Sequence, residues 1–112
     1  MFKQILLSSF ENMDIGMYYR LGWEGMKDFE EHIKTPHFHA VSKNQVHAVT
    51  IDIKNCCVAS FNSYKTFPEN KLKIILEWCG QHRQELLDNW ERAKENLPLI
   101  PIPPPDIERE NT

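Results

Sequence analysis

Two histidines stand two residues apart in Pro36-His37-Phe38-His39-Ala40, and they are the first residues of this chain whose types and spacing could do chemistry. On a strand they would project from one face. Side by side, two imidazoles can ligate a first-row metal ion, and Asp52, diagonal to them on the next expected strand, would add a carboxylate. Because imidazole titrates near neutrality, His37 or His39 could instead serve as a general acid or base. A polar strand face bonded to a neighbouring loop has the same pattern, and an isolated pair of this kind most often has that use.

A second set lies further along the chain. Trp78, His82, Glu85 and Asn89 follow one another at intervals of four, three and four, which aligns them on one stripe of a helix. The stripe is a candidate binding face, and His82 is a third candidate for catalysis. Its plainer use would be a Trp78 that borders the core and a surface pair between His82 and Glu85. Of the three cysteines, Cys79 falls on the apolar side of the same helix and is expected to be buried and inert. Cys56 and Cys57 fall at a turn, with no base predictably adjacent.

The elements that must position these residues follow from alternation and helical periodicity. Ile5 to Phe10 reads as a strand, and Ile15, Met17, Tyr19 and Leu21 alternate onto one face of a second between Asp14 and Leu21, so a hairpin is expected. Gly22 to Lys34 suggests a loop with one or two helical turns. His37 to Val41 and Val46 to Ile53 flank Ser42-Lys43-Asn44-Gln45, the pattern of two strands joined by a four-residue loop. That loop would set Val41 opposite Val46 and Phe38 opposite Val49. Phe38, Ala40, His47, Val49 and Ile51 would then face the core, and His37, His39, Thr50 and Asp52 the other side. Cys57 to Phe61 adds a strand after the Lys54-Asn55 turn.

Thr66-Phe67-Pro68-Glu69 has the form of a capping box, with Thr66 as N-cap and Pro68 in the first turn of a helix. Leu72, Ile75, Leu76, Cys79, Leu86, Trp90, Ala93 and Leu97 continue it at helical spacing, and Pro98 ends the run. A helix from Pro68 to Asn96 would be about 43 Å long, against a radius of gyration of about 13 Å for a domain of this size. It should therefore bend near Gly80, or have its far end covered by another chain or by the proline-rich tail, where Leu99, Ile100 and Ile102 could pack back. The expected fold is α+β: a small antiparallel sheet of about four to five short strands covered by one long C-terminal helix. A single domain should span residues 1–105, with 106–112 disordered.

Length and charge bound the function. A chain of 112 residues supports one core. Its 13 Lys and Arg against 16 Asp and Glu give a net charge of -3, which offers no footprint for extensive non-specific nucleic-acid binding, although a local basic patch stays open. An odd number of cysteines with an adjacent pair suits reduced thiols in a cytoplasm. The apolar run at the start is too short for a signal peptide, and no window approaches the roughly 20 apolar residues of a membrane span. No cofactor is implied.

Pro36-His37-Phe38-His39-Ala40, Glu77-Trp78, His82-Arg83-Gln84-Glu85-Leu86-Leu87 and Asn89-Trp90 together resemble the bacterial domain-of-unknown-function family 4160. The resemblance runs from Pro36 to Pro103 and departs from the pattern just upstream, where Ile33 takes the place of a further histidine and Thr35 that of a proline. It implies a bacterial source and, since some members are described as toxins of type II toxin-antitoxin pairs (the DhiT-like toxins), a cognate small antitoxin-like protein as partner.

Three functional readings stay open. In the first, the chain is the toxin-like half of such a pair and binds its partner through the helix or the tail, where an exposed apolar patch would support it. In the second, it is a plain interaction module, with a homodimer as one form. In the third, it is a nuclease or other hydrolase using His37, His39 and His82, for which a cleft shared with Lys43, Arg20 or Arg83 would speak.

Overall fold

Alternating apolar residues in the first half of the chain fold into an antiparallel meander, and helical periodicity in the second half lays two helices across one of its faces. The computed structural model describes residues 3–21, 35–44, 46–61 and 67–105. The strands are β1 (Lys3–Phe10), β2 (Ile15–Leu21), β3 (His37–Ser42), β4 (Ala48–Asp52) and β5 (Cys57–Phe61), in spatial order β1-β2-β3-β4-β5. A 3-10 turn, Glu11–Met13, joins β1 to β2, closed by Asp14 at φ 55. The helices are α1 (Glu69–Gln81) and α2 (Arg83–Lys94).

The β1–β2 hairpin and the strand β5 form where alternation and turn residues place them. A bulge in β1 between Leu6 and Ser8 shifts its register on β2, and another in the β4–β5 ladder falls between Thr50 and Ile51. Between β3 and β4 the face assignment holds and the register does not. Phe38 pairs with Ile51 and Val41 with Ala48, not with Val49 and Val46, a slip of two residues. The Asn44 side chain explains it. Its Oδ1 accepts from the Ser42 hydroxyl at 2.7 Å and from the Val46 N–H at 3.0 Å, while the Ser42 N–H reaches His47 O at 2.9 Å, so the polar loop runs two residues further than a four-residue turn. Because side chains alternate with period two, an even slip leaves Phe38, Ala40, Val49 and Ile51 on the core face, but β4 starts only at Ala48, so Val46 and His47, expected in the strand, belong to the loop.

The helical half departs more. The long helix is broken at His82, whose φ -118 and ψ 25 interrupt two helices of 13 and 12 residues. The hydrogen-bond ladder survives on either side, His82 N–H to Trp78 O at 3.0 Å and Leu86 N–H to His82 O at 2.9 Å. Each helix thereby sets its own tryptophan on the sheet. Trp78 packs edge-on against Phe10 and Phe38, with centroids 5.1 and 6.0 Å away, and Trp90 against Tyr19 at 5.4 Å. A straight rod about 43 Å long would overrun a twisted five-stranded sheet. The break falls two residues beyond Gly80. The helix opens at Glu69 with Pro68 at the N-cap and no side-chain cap bond, so Pro68 precedes the first turn; Thr66 lies outside the described residues. So do Gly22 to Lys34, where a loop with helical turns was expected, and 106–112.

The core lies between the helices and one sheet face. Phe10, Ile15, Met17, Tyr19, Phe38, Ala40, Val49 and Ile51 from the sheet meet Ile75, Trp78, Cys79, Leu86, Trp90 and Ala93 from the helices, all at most 2% exposed. Full burial of each large side chain is worth about 1.5–3 kcal/mol. The tail packs back: Ile102 is buried and Leu99 joins the core edge, while Leu97 and Ile100 stay exposed. Among the described residues no helix is long and apolar enough to cross a membrane.

Candidate functional site

The helix stripe divides into two kinds of residue. Trp78 and Asn89 are buried and hold the tail: the Trp78 indole N–H donates to Pro103 O at 2.8 Å, and the Asn89 amide gives one bond to Ile100 O and takes one from Ile100 N–H, both 2.8 Å. Arg92 adds a third strap, Nε to Pro98 O at 2.6 Å. An asparagine side chain paired both ways with one backbone residue replaces a strand partner and leaves no buried group open there. His82 and Glu85 stay near the surface, Nδ1 donating to Oε1 at 2.7 Å, with the His82 ring 5.7 Å from Trp78. The stripe is therefore mostly fastening.

The strand histidines sit at the opposite margin of the core. His37 begins β3, donates from Nδ1 to Thr35 O at 2.8 Å, and its ring lies 5.0 Å from Trp90 on one side and 5.2 Å from His39 on the other. His39 shares a hydrogen bond of 3.1 Å with its cross-strand partner Thr50. Asp52 lies directly opposite His37, where the two-residue slip puts it, but its carboxylate turns to Asn55, accepting from the side-chain amide at 2.9 Å and from the N–H at 3.3 Å. It serves the β4–β5 turn. Among the described residues no three His, Cys, Asp or Glu side chains gather as a metal cage.

The described residues form two hollows of interest on the surface. On the sheet face away from the helices, Gln4, Tyr18, Arg20, Val41, Ser42 and Lys43 line a polar pocket of 250 Å³. Arg20 Nε donates to Gln4 Oε1 at 3.0 Å, and Lys43 is ion-paired with Glu11. The Lys43 hydrogen bond holds the Glu11 carboxyl below its usual range, and Glu11 in turn raises the Lys43 ammonium. Tyr18 and Val41 bracket His39, which pairs with Tyr18 across β2 and β3. On the outer side of α1, Leu72 and Leu76 floor a shallow apolar groove of 410 Å³ flanked by Glu69, Lys73 and Glu77. Neither hollow is lined by a histidine.

A further junction escaped the sequence. Arg83 Nη2 donates to Cys56 Sγ at 3.2 Å, across 27 residues. Only the tertiary fold brings the β4–β5 turn to the first residue of α2; no spacing announces it. Tyr19 also ties the layers, its hydroxyl donating to Leu86 O at 2.6 Å, and burial pushes its phenol far above the usual range.

The family model for a domain of unknown function, DUF4160, matches residues 26–91, more than half of the chain, and the chain belongs to that family. The match takes in β3 with its histidines and the helices through Trp90. No curated protein and no solved structure matches the chain.

Proposed function

We propose that this DUF4160 protein acts by binding, as the toxin-like half of a two-protein pair in a bacterial cytoplasm, and that its cognate small protein docks on the outer side of α1. The observation that carries the reading is the apolar groove between Leu72 and Leu76 with Glu69, Lys73 and Glu77 at its rim. A partner segment that inserts an aliphatic side chain and carries a cation beside it is complementary, because the groove removes apolar surface from water and two glutamates stand ready for the cation. The net charge of -3 favours the same sign of partner. Induced expression alone should arrest growth of a bacterial host, and co-expression of the small protein encoded beside it should relieve the arrest. Leu72→Asp with Leu76→Asp, shown folded by circular dichroism, should keep the arrest and lose the relief. Normal growth with wild type rejects the toxin reading, and relief that persists in the folded variant rejects the groove.

A hydrolase is the second reading, favoured by one observation: the pocket that holds Arg20 and Lys43 is walled by Tyr18 and Val41, the neighbours of His39. Cleavage of cellular RNA by the purified protein, lost in His39→Ala, would establish it. An RNA profile unchanged by wild type removes it.

A further inference from the structure

We propose that Cys56 is a site of oxidation by hydroperoxides and that Cys79 resolves it, so that the two form a reversible disulfide between the β4–β5 turn and α1. Cys56 ends that turn at φ 50, a left-handed conformation that non-glycine residues seldom adopt, and its side chain is half-buried against the core. Two contacts hold its sulfur: Arg83 Nη2 donates to Sγ at 3.2 Å, and the thiol itself meets Ile53 O at 3.5 Å. Cys79, four residues before Arg83, belongs to the buried core against which Cys56 packs. Reactive cysteines sit partly exposed beside a fixed cation, and redox-sensing ones stand next to a second thiol. Cys56 meets both conditions. Cys57, one residue on, is exposed on the edge strand β5, and Cys79 is fully buried. Burial raises the Cys79 thiol, which keeps it from competing for the oxidant.

The chemistry balances with one peroxide. The Cys56 thiolate attacks a peroxide oxygen, the O–O bond breaks, and the departing oxygen takes the electron pair and a proton to leave as water or an alcohol. Cys56 is now a sulfenic acid. The Cys79 sulfur then attacks the Cys56 sulfur, the S–O bond breaks, and hydroxide leaves with the Cys79 proton as water. Two thiols have lost two electrons to one peroxide. Because Arg83 opens α2 immediately after the break at His82, the bond would fasten the turn to the joint between the helices. The proposal is independent of the partner-binding reading.

The full-length folded protein, titrated with hydrogen peroxide, alkylated and mapped without reduction, should lose two hydrogens in mass. It should give a single Cys56–Cys79 cross-link, reversed by dithiothreitol, with Cys57 alkylated. Cys79→Ser, folded by circular dichroism, should stop at a Cys56 sulfenic acid that dimedone traps. Arg83→Gln should slow the reaction about tenfold, the worth of one charge-assisted hydrogen bond. Oxidation that lands on Cys57, a wild-type map without the cross-link, or a Cys56 rate equal to that of the urea-unfolded chain would overturn the proposal. The wild-type map decides even where a variant does not fold.

Discussion

The helix stripe and the strand histidines look alike when written out, each an aromatic and polar run at regular spacing, yet they occupy opposite positions. Trp78 and Asn89 are 1% and 0% exposed and hold the tail by backbone hydrogen bonds. His37 and His39 are half-buried on β3, the central strand of the sheet, where the His37 ring touches Trp90 and His39 bonds to Thr50. The difference teaches that a polar residue at regular spacing is architectural when its partner is buried backbone. It stays available for function when its partners are replaceable side chains or its own strand.

That contrast sets an order of expected effects, read by urea unfolding. Trp78→Ala should cost about 3–5 kcal/mol, since it empties the space between Phe10 and Phe38 and frees Pro103. Trp78→Phe, which gives up mainly the indole N–H, should lose only about 1 kcal/mol. Asn89→Leu should lose about 2–3 kcal/mol by orphaning both polar groups of Ile100, and the Ile100 amide should exchange faster with solvent. A loss below about 0.5 kcal/mol would mean that water replaces the clamp and the stripe is not architectural.

Tyr19→Phe should lose about 1 kcal/mol at neutral pH. Its sign with pH is fixed by burial, which raises the folded phenol above the unfolded one. The contribution is complete below about pH 10, where the unfolded tyrosine begins to ionise, and falls as pH rises beyond it. Tyr19→Phe should flatten that alkaline decline; an unchanged slope would place its origin elsewhere. His37→Ala with His39→Ala should lose about 1 kcal/mol, from the ring contact with Trp90 and the bond to Thr50. On the binding reading this double variant leaves growth arrest in place, and its disappearance in a folded protein would move the function to the strand. His82→Gln should change stability by a few tenths of a kcal/mol, because its partner Glu85 is half-exposed.

Much of this fold is legible in the residues, and the exceptions have physical causes. Ile15, Met17 and Tyr19 alternate and are buried together, and Phe38, Ala40, Val49 and Ile51 share the core face as their spacing requires. Local alternation fixes faces. Register depends on how one side chain, Asn44, closes its loop, and this cannot be read from alternation. The break at His82 is likewise set by two distant aromatic clusters, one around Trp78 and one around Trp90, that a single periodic stripe does not distinguish. Helical spacing placed Trp78, His82, Glu85 and Asn89 on one side but could not say that the tail would cover part of it. The groove at Leu72 and Leu76 was expected as core and instead lies at the core's rim. Arg83 beside Cys56 depends wholly on the tertiary fold.

The tail straps have a consequence for the order of events during synthesis. Each strand of the meander pairs with the one made just before it, so the sheet can zip up as the chain emerges. Trp78 and Asn89 must wait for Pro103 and Ile100, 25 and 11 residues behind them. Until those carbonyls leave the ribosome, the two helices rest on the sheet with an open seam. The segment that locks them is translated after both helices are complete.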